Sequence, residues 1–373
     1  MIPGRRGPLA AVLGAVLLLA GCGAGERAAL RVPNTGVLPP AAATLAAAPT
    51  PSPDPLLAVL ERRGGSRTPN LVAIVGLDGR ARNRASFTAG TVPGAGGLAA
   101  VLQPQARVVG GAVYYVDGDG VVRRLGPRGD PATVATFPLT TDQQAAAVAV
   151  SPDGRRLMAT VLDLDSWHVD VETAAAGGPT VTVRSIDVPS PADPGTAPRL
   201  LQVTSWDAEG PVGLADAVAA EAVADPDGLW QGHPAHLDGH GLAGPPLGGT
   251  SCGASFEEPD GTLLCHEAQT LTTTLRRQDG SVVHRFVHTG TAPRLSPDGS
   301  RLAYGLGRGR AAVQSRDGSV VALAPGFTPS GWLTAGILVG TTRGDELAYV
   351  DLAAPGRAVD IGLGGAFVGP VQG

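Results

Sequence analysis

The chain repeats itself. VSPDGRRLMATV, Val150 to Val161, returns as LSPDGSRLAYGL, Leu295 to Leu306, with a Ser-Pro-Asp-Gly turn set between apolar runs. Glycines carry the pattern further. Gly261 (EEPDG), Gly299 (LSPDG) and Gly336 (WLTAG) are spaced by 38 and 37 residues, and Gly280 (RQDG), Gly318 (SRDG) and Gly356 (AAPG) by 38 and 38, about half a period out of step. Each glycine ends one apolar run and starts another. Short strands joined by Gly-bearing turns, four to a period of about 40, are the pattern of a propeller blade. The SPDG stretch is then the hairpin between the first two strands, with Pro fixing φ at its start and Gly accepting a positive φ at its end. One blade cannot bury both its faces, so several must close into a ring.

The same template upstream makes Gly111 and Gly154 first hairpins and Gly79, Gly129, Gly195 and Gly239 later ones. Counting the later turns predicts an all-β fold, a β-propeller of about seven four-stranded blades. Six or eight are also compatible with the less regular early blades, in which Asp165 to Gly178 and Pro189 to Pro198 read as insertions. Gly365 to Val371 is left as a strand without a blade. It is expected to join the first blade and close the ring, which removes unpaired sheet edges. Composition agrees, since 54 Gly and 33 Pro in a chain that is 43% hydrophobic suit many short strands and turns.

The SPDG-RxLA pattern resembles the repeats of TolB-like propellers, which also occur in the non-catalytic propellers of prolyl-oligopeptidase-like enzymes. The resemblance covers Asn70 to Val371 as architecture, and two copies match the motif well. It implies a docking platform.

The N-terminus sets an address. Arg5 and Arg6, an apolar run from Leu9 to Ala20 and small residues ending at Cys22 are the three parts of an export signal, too short for a comfortable membrane span. Leu19-Ala20-Gly21-Cys22 resembles the lipobox of bacterial lipoproteins. That resemblance implies cleavage before Cys22, acylation of its sulfur (palmitate or a similar chain) and a membrane anchor facing outward. The expected organisation is a lipoprotein signal peptide at 1–21, an Ala/Pro/Thr-rich tether at 22–55 and a propeller at 56–373. A formal net charge of -5 gives no basic footprint, which argues against a nucleic-acid partner.

Candidate chemistry is sparse. Cys252 and Cys265 flank the EEPDG turn, and two antiparallel strands would bring them opposite each other; in an exported protein they are expected to form a disulfide, with two reduced core cysteines as the alternative. GTSCG at Gly249 to Gly253 matches the GxSxG nucleophile pattern around Ser251, but no helical pattern follows it, as a nucleophile elbow requires. In GHPAHLDGHG, His236, Asp238 and His240 would share one face of a strand as a candidate metal set, unless a hairpin at Gly239 breaks it. His284 and His288 in VHRFVH read as surface or packing residues, and Asp117 to Gly120 as a tight hairpin rather than a calcium loop. Trp167, Trp206, Trp230 and Trp332 are expected blade anchors, with Trp167-His168 the best placed for exposure. No cofactor is implied. The expected function is a binding or scaffold module for a protein or other envelope partner; the alternative is an extracytoplasmic enzyme, hydrolytic or metal-dependent, in the central funnel.

Overall fold

The computed structural model describes residues 55–61, 69–88, 106–141, 144–163, 165–187, 199–218, 233–239, 247, 255–257, 263–267, 270–342 and 346–371, in which every regular element is a strand. In chain order, blade 1 takes β1 (Leu56–Glu61), β2 (Asn70–Gly76) and β3 (Ala81–Phe87). Blade 2 holds β4 (Ala106–Val109), β5 (Ala112–Val116), β6 (Val121–Leu125) and β7 (Ala132–Thr136). Blade 3 holds β8 (Gln144–Val150), β9 (Arg156–Asp163), β10 (His168–Ala175) and β11 (Thr180–Asp187). Blade 4 holds β12 (Arg199–Trp206), β13 (Pro211–Val218) and β14 (His233–His236). Blade 5 holds β15 (Ser255–Glu257), β16 (Leu263–Glu267), β17 (Thr272–Arg276) and β18 (Val282–Phe286). Blade 6 holds β19 (Thr291–Leu295), β20 (Arg301–Gly307), β21 (Arg310–Ser315) and β22 (Val320–Ala322). Blade 7 holds β23 (Thr328–Thr334), β24 (Ile337–Thr341), β25 (Glu346–Asp351) and β26 (Ala358–Gly364).

The last strand, β27 (Ala366–Val371), pairs antiparallel with β1, from Leu56 opposite Val371 to Leu60 opposite Ala366, with a bulge after Ala58. Blade 1 is thus ordered β27-β1-β2-β3, with the C-terminal strand innermost, and the ring closes as the leftover strand predicted. The result is a seven-bladed propeller. Among the described residues six sheets have four strands and the blade 4 sheet has three.

Each middle strand is apolar on both sides because it is buried on both sides. In β20, Leu302 and Tyr304 pack toward Leu264, Leu275 and Phe286 of blade 5, while Ala303 between them packs toward Trp332 and Leu338 of blade 7. In β1, Ala58 and Leu60 join the blade 2 side, and Leu57 and Val59 the blade 7 side. Near-continuous apolar runs are therefore what a blade requires. Burial also pushes the Tyr304 phenol up to about 12.

The two SPDG copies are the same turn. In each, the serine backbone N–H donates to the arginine carbonyl five residues on, and that arginine N–H donates back to the serine Oγ at 2.9 Å, for Ser151 with Arg156 and for Ser296 with Arg301. The serine hydroxyl in turn donates to the aspartate at 2.6 Å, Ser151 to Asp153 and Ser296 to Asp298. Gly154 and Gly299 sit at φ of 70° and 64°, where only glycine is unstrained. The arginine that ends the turn reaches the next blade. Arg301 Nη1 donates to the Ala335 carbonyl of blade 7 at 2.9 Å, and the Arg156 guanidinium lies 5.2 Å from the Trp206 ring centre of blade 4.

The turn assignments hold for both glycine series wherever the strands on both sides are described, which leaves Gly239, after β14, without a described strand to follow it. Gly111, Gly154, Gly299 and Gly336 lie between the first and second strands, and Gly79, Gly129, Gly280, Gly318 and Gly356 between the third and fourth. Blade 3 differs from expectation. Its last turn is at Gly177, not Gly195, and Asp165 to Gly178 is not an insertion but the β9–β10 turn, β10 itself and the turn that follows. A long β10 explains the misreading, because its alternating His168, Asp170 and Glu172 mask the apolar run that marks other third strands. Gly195 and Gly261 lie outside the described residues.

Candidate functional site

A buried carboxylate with several donors joins blades 4 and 5. β12 ends at Trp206, and the next residue, Asp207, is 3% exposed at the head of the turn into β13. Its Oδ1 accepts the backbone N–H groups of Glu209 (2.8 Å) and Gly210 (2.9 Å), the same device by which aspartates hold other turns of the ring. Its Oδ2 accepts from two side chains. One is Nε2 of His236, at the end of β14, and the other is Nε2 of Gln278, in the β17–β18 turn of blade 5, both at 2.8 Å. A carboxylate can only accept, so His236 carries its proton on Nε2, and Nδ1 is left 3.7 Å from Glu209 Oε2. The imidazole side chain is 22% exposed. The arrangement can fix the orientation of the His236 ring and tie two blades together.

Two further histidines are engaged elsewhere. At the start of β10, His168 Nδ1 lies 2.9 Å from Asp187 and Nε2 3.2 Å from Asp170, and the hydrogen bond to Asp187 raises its pKa above the ordinary imidazole value despite partial desolvation. Glu172, two residues beyond Asp170 on the same strand, is pushed up by burial and by the Asp170 charge. In blade 5, buried His266 shares a hydrogen bond with Thr273 (3.0 Å), which contacts Thr289 (2.9 Å), whose hydroxyl donates to the Leu271 carbonyl (3.1 Å). Desolvation lowers the His266 pKa and so favours the neutral imidazole. A cavity of about 330 Å³ opens between blades 2 and 3, with Tyr114, Arg124, Thr133 and Asp153 on its wall.

Of the expected site residues, His236 is engaged with Asp207, and Asp238 is exposed in the turn after β14 rather than held on a strand face with it. His240, Ser251, Cys252, Cys22 and Trp230 lie outside the described residues. Among the described residues no three His, Cys, Asp or Glu side chains gather to hold a metal. Cys265 is buried in β16, opposite Ser255 in the β15–β16 ladder, and its expected partner Cys252 lies outside the described residues. Asp117 accepts the N–H groups of Asp119 and Val121 and pairs with Arg123 at 3.0 Å, a closed hairpin as expected. Trp332 is a blade anchor, donating from Nε1 to the Arg294 carbonyl of blade 6 at 2.9 Å, while Arg294 donates to Ser330 in return. His284 packs edge-on against Phe286, and His288 is exposed with φ of 56°.

Asp207 and Gln278 were missed from sequence. The signal was available for the first, since WDAEG occupies the place in blade 4 that SPDG occupies in blades 3 and 6.

No protein-family model and no curated protein matches the chain. Among solved structures it is similar to a protein from Lactobacillus plantarum, at 13% identity over 85% of this chain and 98% of that one, with a TM-score of 0.43. It is also similar to streptogramin B lyase, at 11% identity over 82% and 93% of the two chains with a TM-score of 0.41, and to BamB from Moraxella catarrhalis, at 10% over 68% and 70% with a TM-score of 0.39. At these distances the fold assignment stands on the strand pairing within this chain: an all-β propeller of seven blades.

Proposed function

We propose that this chain is an exported lipoprotein, anchored through lipid on Cys22 and lifted from the membrane by its Ala/Pro/Thr-rich tether, whose TolB-like propeller is a binding module for an extracytoplasmic protein or envelope partner. The observation that carries the reading is how the polar groups are used. Asp207, His236 and Gln278 join two blades, the SPDG arginines step onto the next blade, and His266 and its threonines brace one sheet. Such groups make a rigid platform rather than a converging reaction centre. A Cys252 to Cys265 disulfide belongs to the same proposal, with Cys265 buried in β16. It suits an oxidising compartment.

Intact mass measurement on protein from its native membrane, beside a Cys22→Ala variant, tests the address: acyl mass on Cys22 and release of the variant are expected, and an unmodified, membrane-bound variant would overturn it. Cross-linking in the native envelope tests the role, with a stoichiometric partner expected. A rival reading as a hydrolase draws on the oriented Asp207–His236 pair. It requires an activity that His236→Gln abolishes while the fold is kept.

A further inference from the structure

The seams that lead to the two SPDG turns are built differently. In blade 5 the second and third strands set Leu264 opposite Leu275, and both are buried in an apolar cluster with Leu302 and Tyr304 of blade 6. In blade 2 the same two strands set Tyr114 opposite Arg124, and the cavity of about 330 Å³ opens there, bounded across the seam by Asp153 and Gly154 of the β8–β9 turn. The β10–β11 turn bounds it as well, tied to β7 by the Gly177 N–H, which donates to the Val134 carbonyl at 2.7 Å.

Three polar groups on this wall have bonding capacity that the protein does not use. Tyr114 is 6% exposed, yet its hydroxyl makes no hydrogen bond with the protein, and it stands so close to Gly154 that a β-carbon there would come within 2.6 Å of it. A phenol buried to that degree ordinarily has a partner. The Arg124 guanidinium makes no hydrogen bond or ion pair. Asp153 takes both of its donors, the Ser151 hydroxyl and the Arg155 N–H, on Oδ1, which leaves Oδ2 open. Arg155 and Arg156 are near enough to act on that carboxylate through space but form no ion pair with it. In the other SPDG turn the matching oxygen is occupied, because Ser300 Oγ donates to Asp298 Oδ2 at 2.8 Å.

These groups select a ligand. Arg124 and Asp153 carry opposite charges on the two walls and do not pair across the gap, so a molecule that satisfies both brings a carboxylate to the planar guanidinium and an ammonium to the carboxylate. A sugar would leave both charges without a counter-charge. Val109, Val134 and Ala176 supply the apolar part of the lining, which suits an aliphatic side chain. The volume lies at the small end of ligand pockets, as a molecule of this size requires.

We propose that the cavity between blades 2 and 3 binds a free aliphatic α-amino acid, its carboxylate on Arg124 and the Tyr114 hydroxyl and its ammonium on Asp153. This small-molecule site goes beyond the binding-module reading and does not depend on it.

The probes are L-valine and L-leucine, titrated into the whole chain by isothermal calorimetry. Saturable binding of at least one is expected. 4-Methylpentanoate and 3-methylbutylamine, which each keep one of the two charges of leucine, are expected to bind about tenfold more weakly or worse. Arg124→Gln breaks no contact within the protein, so it should weaken binding about tenfold at an unchanged melting temperature, and Tyr114→Phe about threefold. Arg128→Gln, on the same blade but outside the cavity, should leave binding unchanged. No binding of either amino acid at millimolar concentration, equal binding of the single-charge analogues, tighter binding of glucose, or full affinity in Arg124→Gln would each overturn the proposal.

Discussion

The Asp207 carboxylate accepts two hydrogen bonds from its own turn and two from side chains, His236 at the end of β14 and Gln278 in the β17–β18 turn of blade 5. Asp207→Ala leaves those donors without an acceptor in a buried place, and the expected loss is about 2 to 4 kcal/mol in urea unfolding. A loss below about 0.5 kcal/mol would mean that the seam between blades 4 and 5 is held by packing alone. Histidines give pH dependences of opposite sign. His266 has a depressed pKa in the fold, so its contribution is present above the unfolded value of about 6.5 and is lost as pH falls below it. His168 has a raised pKa, so its contribution is present below about 6.5 and is lost as pH rises through the folded value. NMR titration of the two imidazoles should find them on opposite sides of that value. Identical titrations would remove the assigned burial and hydrogen bonds.

At the scale of the element, the SPDG turns explain their own repetition. Asp153 is held below the ordinary carboxylate range by the Ser151 hydroxyl and the Arg155 N–H; burial pushes Asp298 up, but donors from Ser296 and Ser300 outweigh it. Both aspartates therefore contribute stability above an unfolded pKa of about 3.9, lost as pH falls through the lowered value. Ser296→Ala removes the acceptor of the Arg301 N–H and the donor to Asp298 at once, with an expected cost of about 1 to 2 kcal/mol measured by denaturant titration. Arg156→Ala is expected to cost about 0.5 to 1 kcal/mol through the loss of its place over Trp206, and Trp206→Leu should make that substitution nearly neutral in a double-mutant cycle. The turns, their order within the blade and the glycine at positive φ were legible in the sequence because they are local. Gly177 was not, because a polar face on β10 hid the strand before it.

For the whole molecule, closure is the decisive event. β27 lies innermost in blade 1, and its Phe367 and Val371 contribute to the seams on either side. A chain ending at Gly364 lacks this strand, so β1 becomes an inner edge. The expected outcome is loss of a single cooperative melting transition and self-association by size-exclusion chromatography, and a monomer that melts as the full chain does would show that closure is dispensable.

What the sequence determined by itself was periodic: turn chemistry, strand length, a blade count of about seven with six or eight left open, and a last strand owed to the first blade, read from turns that recur every 37 or 38 residues in the second half of the chain. Tertiary structure decided which side chains meet. Asp207 and Gln278 are 71 residues apart and touch because blades 4 and 5 are neighbours in the ring. Cys265 faces Ser255 in the β15–β16 ladder, a register that the spacing about the EEPDG turn does not give. Periodicity is a property of neighbours along the chain, whereas a site is a property of neighbours across blades, and only closure of the ring chooses those.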